Sequence, residues 1–137
     1  MVETWRGIYP ITSFVLEALS RKRDAGDAAA LSPEEKTLLT AVEFWAAAAH
    51  GTLQQHLRPH IGQNLAAAQQ AFGVLGAVRV VSLLRVASEE LQEHPMRPTA
   101  VIEQLDERLA RTDDNIDDLI ARYAGAIEQS AERAAAQ

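Results

Sequence analysis

Ser32-Pro33-Glu34-Glu35, followed by Lys36-Thr37-Leu38-Leu39-Thr40-Ala41-Val42-Glu43-Phe44-Trp45-Ala46-Ala47-Ala48-Ala49, is the stretch that decides the fold. The first four residues form a capping box with proline at the first helical position. The serine hydroxyl can accept from the Glu35 amide, and the Glu35 carboxylate can reach back to the serine amide. The spacing then predicts a helix from Pro33 to about Leu57, with Leu38, Leu39, Val42, Trp45, Ala46, Ala49 and Leu53 on its core face. Four consecutive alanines, Ala46 to Ala49, let a second helix approach closely. Gly51 weakens the end of this helix by roughly 1 kcal/mol relative to alanine.

The same 3.6-residue spacing extends in both directions. Upstream, Ile11, Phe14, Val15, Ala18 and Leu19 make the stripe of a helix over about Ile11–Asp24. Arg21, Lys22 and Arg23 fall in its last turn, where cations favour the dipole, and Gly26 can end it. Residues 1–10 read as an irregular arm whose Trp5, Ile8 and Tyr9 are expected to dock on the bundle. Downstream, Pro59 disfavours helix at Arg58. A third helix is expected from about His60 to Glu93, with a stripe of Ile61, Leu65, Ala68, Phe72 and Leu75. Its stretch from Val74 to Ala87 is apolar nearly all round and reads as the most buried part of the chain. Gly73 and Gly76 are expected to seat a close neighbour.

His94-Pro95-Met96-Arg97-Pro98 is a break. After it, Ile102, Leu105, Leu109, Thr112, Ile116, Leu119 and Tyr123 recur at three- and four-residue spacing, a coiled-coil-like seam. One continuous helix is the expectation. The alternative is that Thr112-Asp113-Asp114-Asn115 caps a separate helix. Residues 131–137 are expected to fray. The fold expected is all-α, an elongated antiparallel bundle of about four helices in one domain over 1–137. Two helices of about 30 residues would each span roughly 45 Å. Trp45 and Phe72 are expected in the core; Glu34, Glu35, Asp117 and Asp118 are expected in solvent.

Composition agrees with that class. Among 137 residues, alanine occupies 25 positions and aromatic residues are 5%, which favours helix over strand. Hydrophobic residues at 47% exclude a disordered tail. There is no cysteine, so disulfides, cysteine-ligated zinc, iron–sulfur clusters and thiol catalysis are excluded. The net charge of −6 argues against nucleic-acid binding, because phosphate backbones are repelled. Residues 1–68 carry six basic against seven acidic side chains; residues 69–137 carry seven against twelve. The C-terminal half is therefore the acidic one. MVETWRGIYP contains no apolar core of a signal peptide, and the longest uncharged stretch, Pro59 to Val78, is too polar for a membrane span. A cytoplasmic protein that touches neither membrane nor nucleic acid, and that holds no cofactor, is expected.

Few residues suggest chemistry. His50, His56 and His60 lie near one another in sequence, but Pro59 interrupts the helical geometry a shared metal would need. Asp113-Asp114-Asn115-Ile116-Asp117 resembles the aspartate-rich motif of isoprenoid synthases, in which carboxylates hold magnesium against a diphosphate. Glu89-Glu90-Leu91-Gln92-Glu93 with Glu103-Gln104-Leu105-Asp106 resembles the two carboxylate motifs of MazG-like nucleotide pyrophosphohydrolases. That resemblance implies a magnesium site built from Glu89, Glu90, Glu93, Glu103 and Asp106 on facing helices. The reading set first is non-enzymatic: a scaffold, adaptor or chaperone-like bundle acting through protein contacts. It is expected to be a homodimer or larger homo-oligomer, with Ile102, Leu105, Leu109, Ile116, Leu119 and Tyr123 contributing to the interface.

Overall fold

A computed structural model describes residues 17–22, 24, 31–112 and 115–136, with side chains as far as residue 129. Every regular element among them is helical, as the alanine content and periodicity require. Residues 17–22 form a short helical stretch. Six helices follow among the described residues: α1 (Pro33–His50), α2 (Leu53–Leu57), α3 (Ile61–Leu75), α4 (Val78–Glu93), α5 (Pro98–Leu109) and α6 (Ile116–Ala136).

The capping box of α1 is formed in full. The Glu35 amide donates to Ser32 Oγ at 3.1 Å, and the Ser32 amide donates to Glu35 Oε1 at 3.0 Å. Lys22 Nζ donates to both Glu35 oxygens, at 3.0 and 3.1 Å, and so ties the 17–22 stretch to the start of α1. The helix stops at His50 rather than continuing to Leu57. Gly51 takes a left-handed φ of 76°, and the Gly51 and Thr52 amides fold back onto the Ala48 and Ala47 carbonyls. Leu53 to Leu57 then form the separate short α2, which buries Leu53 and Leu57.

The expected helix over His60–Glu93 is likewise two helices. Gly76 adopts φ 86° and caps α3, with the Ala77 amide donating to Phe72 O at 2.9 Å. The chain folds back there, and α3 packs against α4 more extensively than any other pair of helices in the bundle. Neither glycine seats a close neighbour. A Cβ on Gly73 would meet Val81 Cγ2 at an ordinary 3.9 Å, and one on Gly76 would meet nothing within 4 Å. The last helix also divides: α5 ends at Leu109 and α6 begins at Ile116, with Asn115 Oδ1 accepting from the Asp118 amide at 3.2 Å. The capped-break alternative is the one the chain adopts, and the 30-residue rods do not form. α6 runs to Ala136.

The deepest element is α1, not Val74 to Ala87. From Leu38 to Ala49 every residue but Thr40 and Glu43 is buried, and α1 packs against α2, α3 and α6. An all-round apolar helix belongs at the centre, and that description fits Leu38–Ala49 better than the arginine-bearing α4. On α4 only Val80, Leu84 and Ala87 are buried, whereas Val78 is 72% exposed and Val74, at the end of α3, is 53% exposed. Phe72 is buried, with its ring edge-to-face on Phe44 (5.6 Å between centroids) and Trp45 (6.4 Å). Trp45 and Phe72 thus lie in the core as expected. Glu34 is in solvent, but Glu35, Asp117 and Asp118 are half-buried. Of the first helix, Leu19 is buried and Ala18 exposed; Ile11, Phe14, Val15 and the arm with Trp5, Ile8 and Tyr9 lie outside the described residues.

Candidate functional site

The left-handed cap at Gly76 fixes where α4 begins, and the packing of α4 on α5 brings the first turns of α4 beside the end of α5. Between them lies an open groove of about 420 Å³. Val78, Arg79, Ser82 and Leu83 line one side; Arg108, Arg111 and Thr112 line the other. The spacing explains the set. Residues 78 and 82 are one helical turn apart, as are 108, 111 and 112. The turn after α5 is held by the Arg111 amide on Arg108 O (3.1 Å) and the Thr112 amide on Leu109 O (3.2 Å).

Three guanidinium groups and no carboxylate line this groove, in a chain with a net charge of −6. Arg108 Nη1 donates to Glu90 Oε1 at 2.9 Å, a half-buried pair that clamps α4 to α5. Arg111 Nη2 donates to Glu107 Oε1 at 3.0 Å on the exposed surface. Each contact occupies one nitrogen of a group that carries five N–H donors in a planar fork. The half-buried pair holds Arg108 in place, whereas the Arg111 pair lies on the exposed surface and constrains it little. Leu83 and the exposed Val78 supply the apolar part of the floor.

The residues singled out from sequence lie elsewhere or are engaged otherwise. Ile102, Leu105, Leu109 and Ile116 are at most 2% exposed, inside the core of this chain. Leu119 and Tyr123 are half-buried and pack against the same core. The seam closes the chain's own bundle first. Of the carboxylates, Glu89, Glu93 and Glu103 are exposed, Glu90 is bound to Arg108, and Asp106 is half-buried. His50, His56 and His60 are exposed on α1, on α2 and just before α3. Among the described residues no three histidine or acidic side chains gather as a metal-binding group. Asp113 and Asp114 lie outside the described residues, and Asp118 pairs with Arg122 at 3.0 Å. Arg122 thus offsets part of the acidic start of α6.

Three groups are shifted in their protonation. Partial burial pushes the Glu35 carboxyl upward, but the Ser32 amide, the Lys22 ammonium and the Ser32 hydroxyl together outweigh it and hold the pKa below its ordinary value. Partial desolvation of the His56 imidazole, which sits edge-on to Phe44 at 6.3 Å while the residue keeps much of its surface in solvent, lowers its pKa, partly opposed by the Glu43 carboxylate. Burial, and then the nearby Glu34 carboxylate, raise that of Tyr123. Glu34, Glu35 and Tyr123 border a second cleft, of about 480 Å³, beside the capping box. Its polar groups serve the start of α1.

Arg79, Ser82 and Arg85 interrupt the apolar stretch from Val74 to Ala87 without by themselves marking a groove. The signal that was present is the pair of arginines, Arg108 in the last turn of α5 and Arg111 in the turn that follows it. Their meeting with Val78 and Ser82 depends on the fold-back at Gly76. No helix among the described residues is long and apolar enough to cross a membrane. No protein-family model, no curated protein and no solved structure matches the chain.

Proposed function

We propose that this chain is a helical-bundle adaptor that works through protein–protein contacts, with the groove between α4 and α5 as its contact face. One observation carries the reading: Val78 stands 72% exposed at the edge of an apolar groove rimmed by arginines. Exposed aliphatic side chains flanked by arginine are what protein contact surfaces use, apolar area for affinity and guanidinium for orientation. α4 leaves this side open because it packs principally on α3 and α5, while α1 occupies the centre. A homodimer built on the seam would have to use Leu119 and Tyr123, the two seam residues that keep some exposure.

Affinity capture with the full chain tests the reading, comparing wild type with Val78→Asp and with Gln63→Asp as an exposed control at the start of α3, far from the groove. The groove reading expects a set of proteins recovered by wild type and Gln63→Asp and lost from Val78→Asp, with all three equally folded by circular dichroism. Identical recovery by all three would overturn it.

A further inference from the structure

We infer that the outer face of α3 pairs with the same face of a second copy of this chain, antiparallel across a two-fold axis. The inference goes beyond the contact-face reading and uses neither the α4/α5 groove nor the apolar seam. α3 is the one helix among the described residues that carries no charged or titratable side chain. In a two-fold contact one patch meets itself, so a charge near the axis faces its own like. A face free of charge escapes that repulsion, in a chain where 23% of the residues are charged. The exposed residues Gly62, Ala66, Gln70 and Val74 recur every four positions and form one row along α3.

The order of sizes along this row selects a second copy. Its first half is small, Gly62 and Ala66, and its second half is larger, Gln70 and Val74. A two-fold axis at the middle of the row sets Gly62 opposite Val74 of the partner subunit and Ala66 opposite Gln70 of the partner subunit. Each small residue then receives a larger one, on both sides of the axis. Packing of such four-residue rows is the commonest way for two helices to cross, and small side chains let the axes approach to about 8 Å. Gly62 supports the pairing independently. Its φ is not left-handed, and a Cβ there would meet nothing within 4 Å. Neither turn geometry nor packing inside the chain requires this glycine, which costs the helix backbone entropy. A side chain seated from outside does require it. Val74, 53% exposed at the other end of the row, is the apolar surface that such a seat covers. A strip about 18 Å long and about 10 Å wide falls well below the roughly 800 Å² per partner of a standard interface. The dimer is therefore weak, dissociating in the range of about 10–500 μM.

The test is sedimentation equilibrium of the full chain from about 5 to 500 μM, with the mean mass expected to rise toward the dimer across that range. Ala66→Glu and Gln70→Glu each place a charge beside the axis, and each should weaken association about tenfold or more. Gln104→Glu, the same change of charge on α5, should leave association as it is. All three positions are exposed, so the circular dichroism of the variants should match wild type. Gly62→Leu fills the seat and should weaken association likewise, without lowering the Tm measured at about 5 μM, where the chain is monomeric. Orientation is read by disulfide trapping, which the absence of native cysteine keeps clean. A mixture of Gly62→Cys and Val74→Cys chains under mild oxidation should form the mixed 62–74 bridge faster than either like bridge. A wild type that stays monomeric through about 500 μM would overturn the inference. So would association that survives Ala66→Glu and Gln70→Glu unchanged, which would place the contact elsewhere on the chain. Like bridges that form as fast as the mixed one would overturn the antiparallel pairing. None of these outcomes touches the groove, whose own test is the capture experiment with Val78→Asp.

Discussion

Phe72→Ala is the sharpest perturbation of the core. The side chain is fully buried, and its ring makes edge-to-face contacts with Phe44 at 5.6 Å and 75° and with Trp45 at 6.4 Å and 65°. It joins α3 to the central helix α1. Truncating a buried phenylalanine removes transfer free energy and leaves a cavity, together about 3–5 kcal/mol. Two aromatic pairs contribute about 0.5–1.5 kcal/mol each beyond area, so Phe72→Leu, which keeps most of the volume, should cost about 1–3 kcal/mol. For a chain of this length, 1 kcal/mol corresponds to about 3–5 °C, so Phe72→Ala should lower Tm by about 10–20 °C. Urea unfolding followed by far-ultraviolet circular dichroism measures both variants, with Val78→Ala as an exposed control expected within about 0.5 kcal/mol of wild type. A cost under about 1 kcal/mol for Phe72→Ala, or equal costs for Ala and Leu, would refute the packing of α3 on α1.

The remaining predictions concern caps, titration and metal. Gly76→Ala should destabilise by about 1–2 kcal/mol because its φ of 86° is left-handed, whereas Gly62→Ala, in open space within α3, should stabilise by about 0.5–1 kcal/mol; thermal melts of the pair check this. Ser32→Ala should cost about 1 kcal/mol at neutral pH by removing the α1 cap. Because the folded Glu35 pKa lies below 4.5, its contribution is present above that value and is lost as pH falls through the folded value, so the stability advantage of wild type over Glu35→Gln in melts at neutral pH should shrink as the pH is lowered below about 4.5. His56, lowered from 6.5, contributes fully above about pH 6.5; below it the unfolded chain binds the extra proton and stability declines, a slope that His56→Gln should flatten in pH-resolved melts. Magnesium with a nucleoside triphosphate should leave Tm unchanged, since Glu90 is held by Arg108 and the other acidic positions of that set do not converge on it; a shift that depends on Glu90 would revive the pyrophosphohydrolase reading.

The helical class and much of the core were legible because they are written locally. The capping box needs only Ser32 and Glu35, and the stripe from Leu65 to Leu75 needs only its spacing. The helix ends were harder. Gly51 reads from sequence as a weak helical residue and Gly76 as a seat for a close neighbour, and only their left-handed φ, set by the packing that follows, makes them stops. The split at Gly76 in turn reverses the burial expected around it, exposing Val74 and Val78. The seam residues from Ile102 to Ile116 carry the same apolar spacing whether they face a partner or their own bundle, so periodicity could not choose between the two. Of the groove only the Arg108 and Arg111 pair was legible: Arg79 and Arg108 are far apart in sequence, and only the packing of α4 on α5 joins them.

The central claim is that the chain makes its partner contact through the groove at Val78. Site-specific photo-crosslinking tests it most directly, with a photoreactive residue placed at position 78 and, in a separate sample, at exposed position 103 on α5 outside the groove. The account predicts a discrete adduct with a partner protein from position 78, absent from position 103 and lost when Arg111→Glu is added. The same adducts from both positions, or an adduct at 78 that survives Arg111→Glu unchanged, would contradict it.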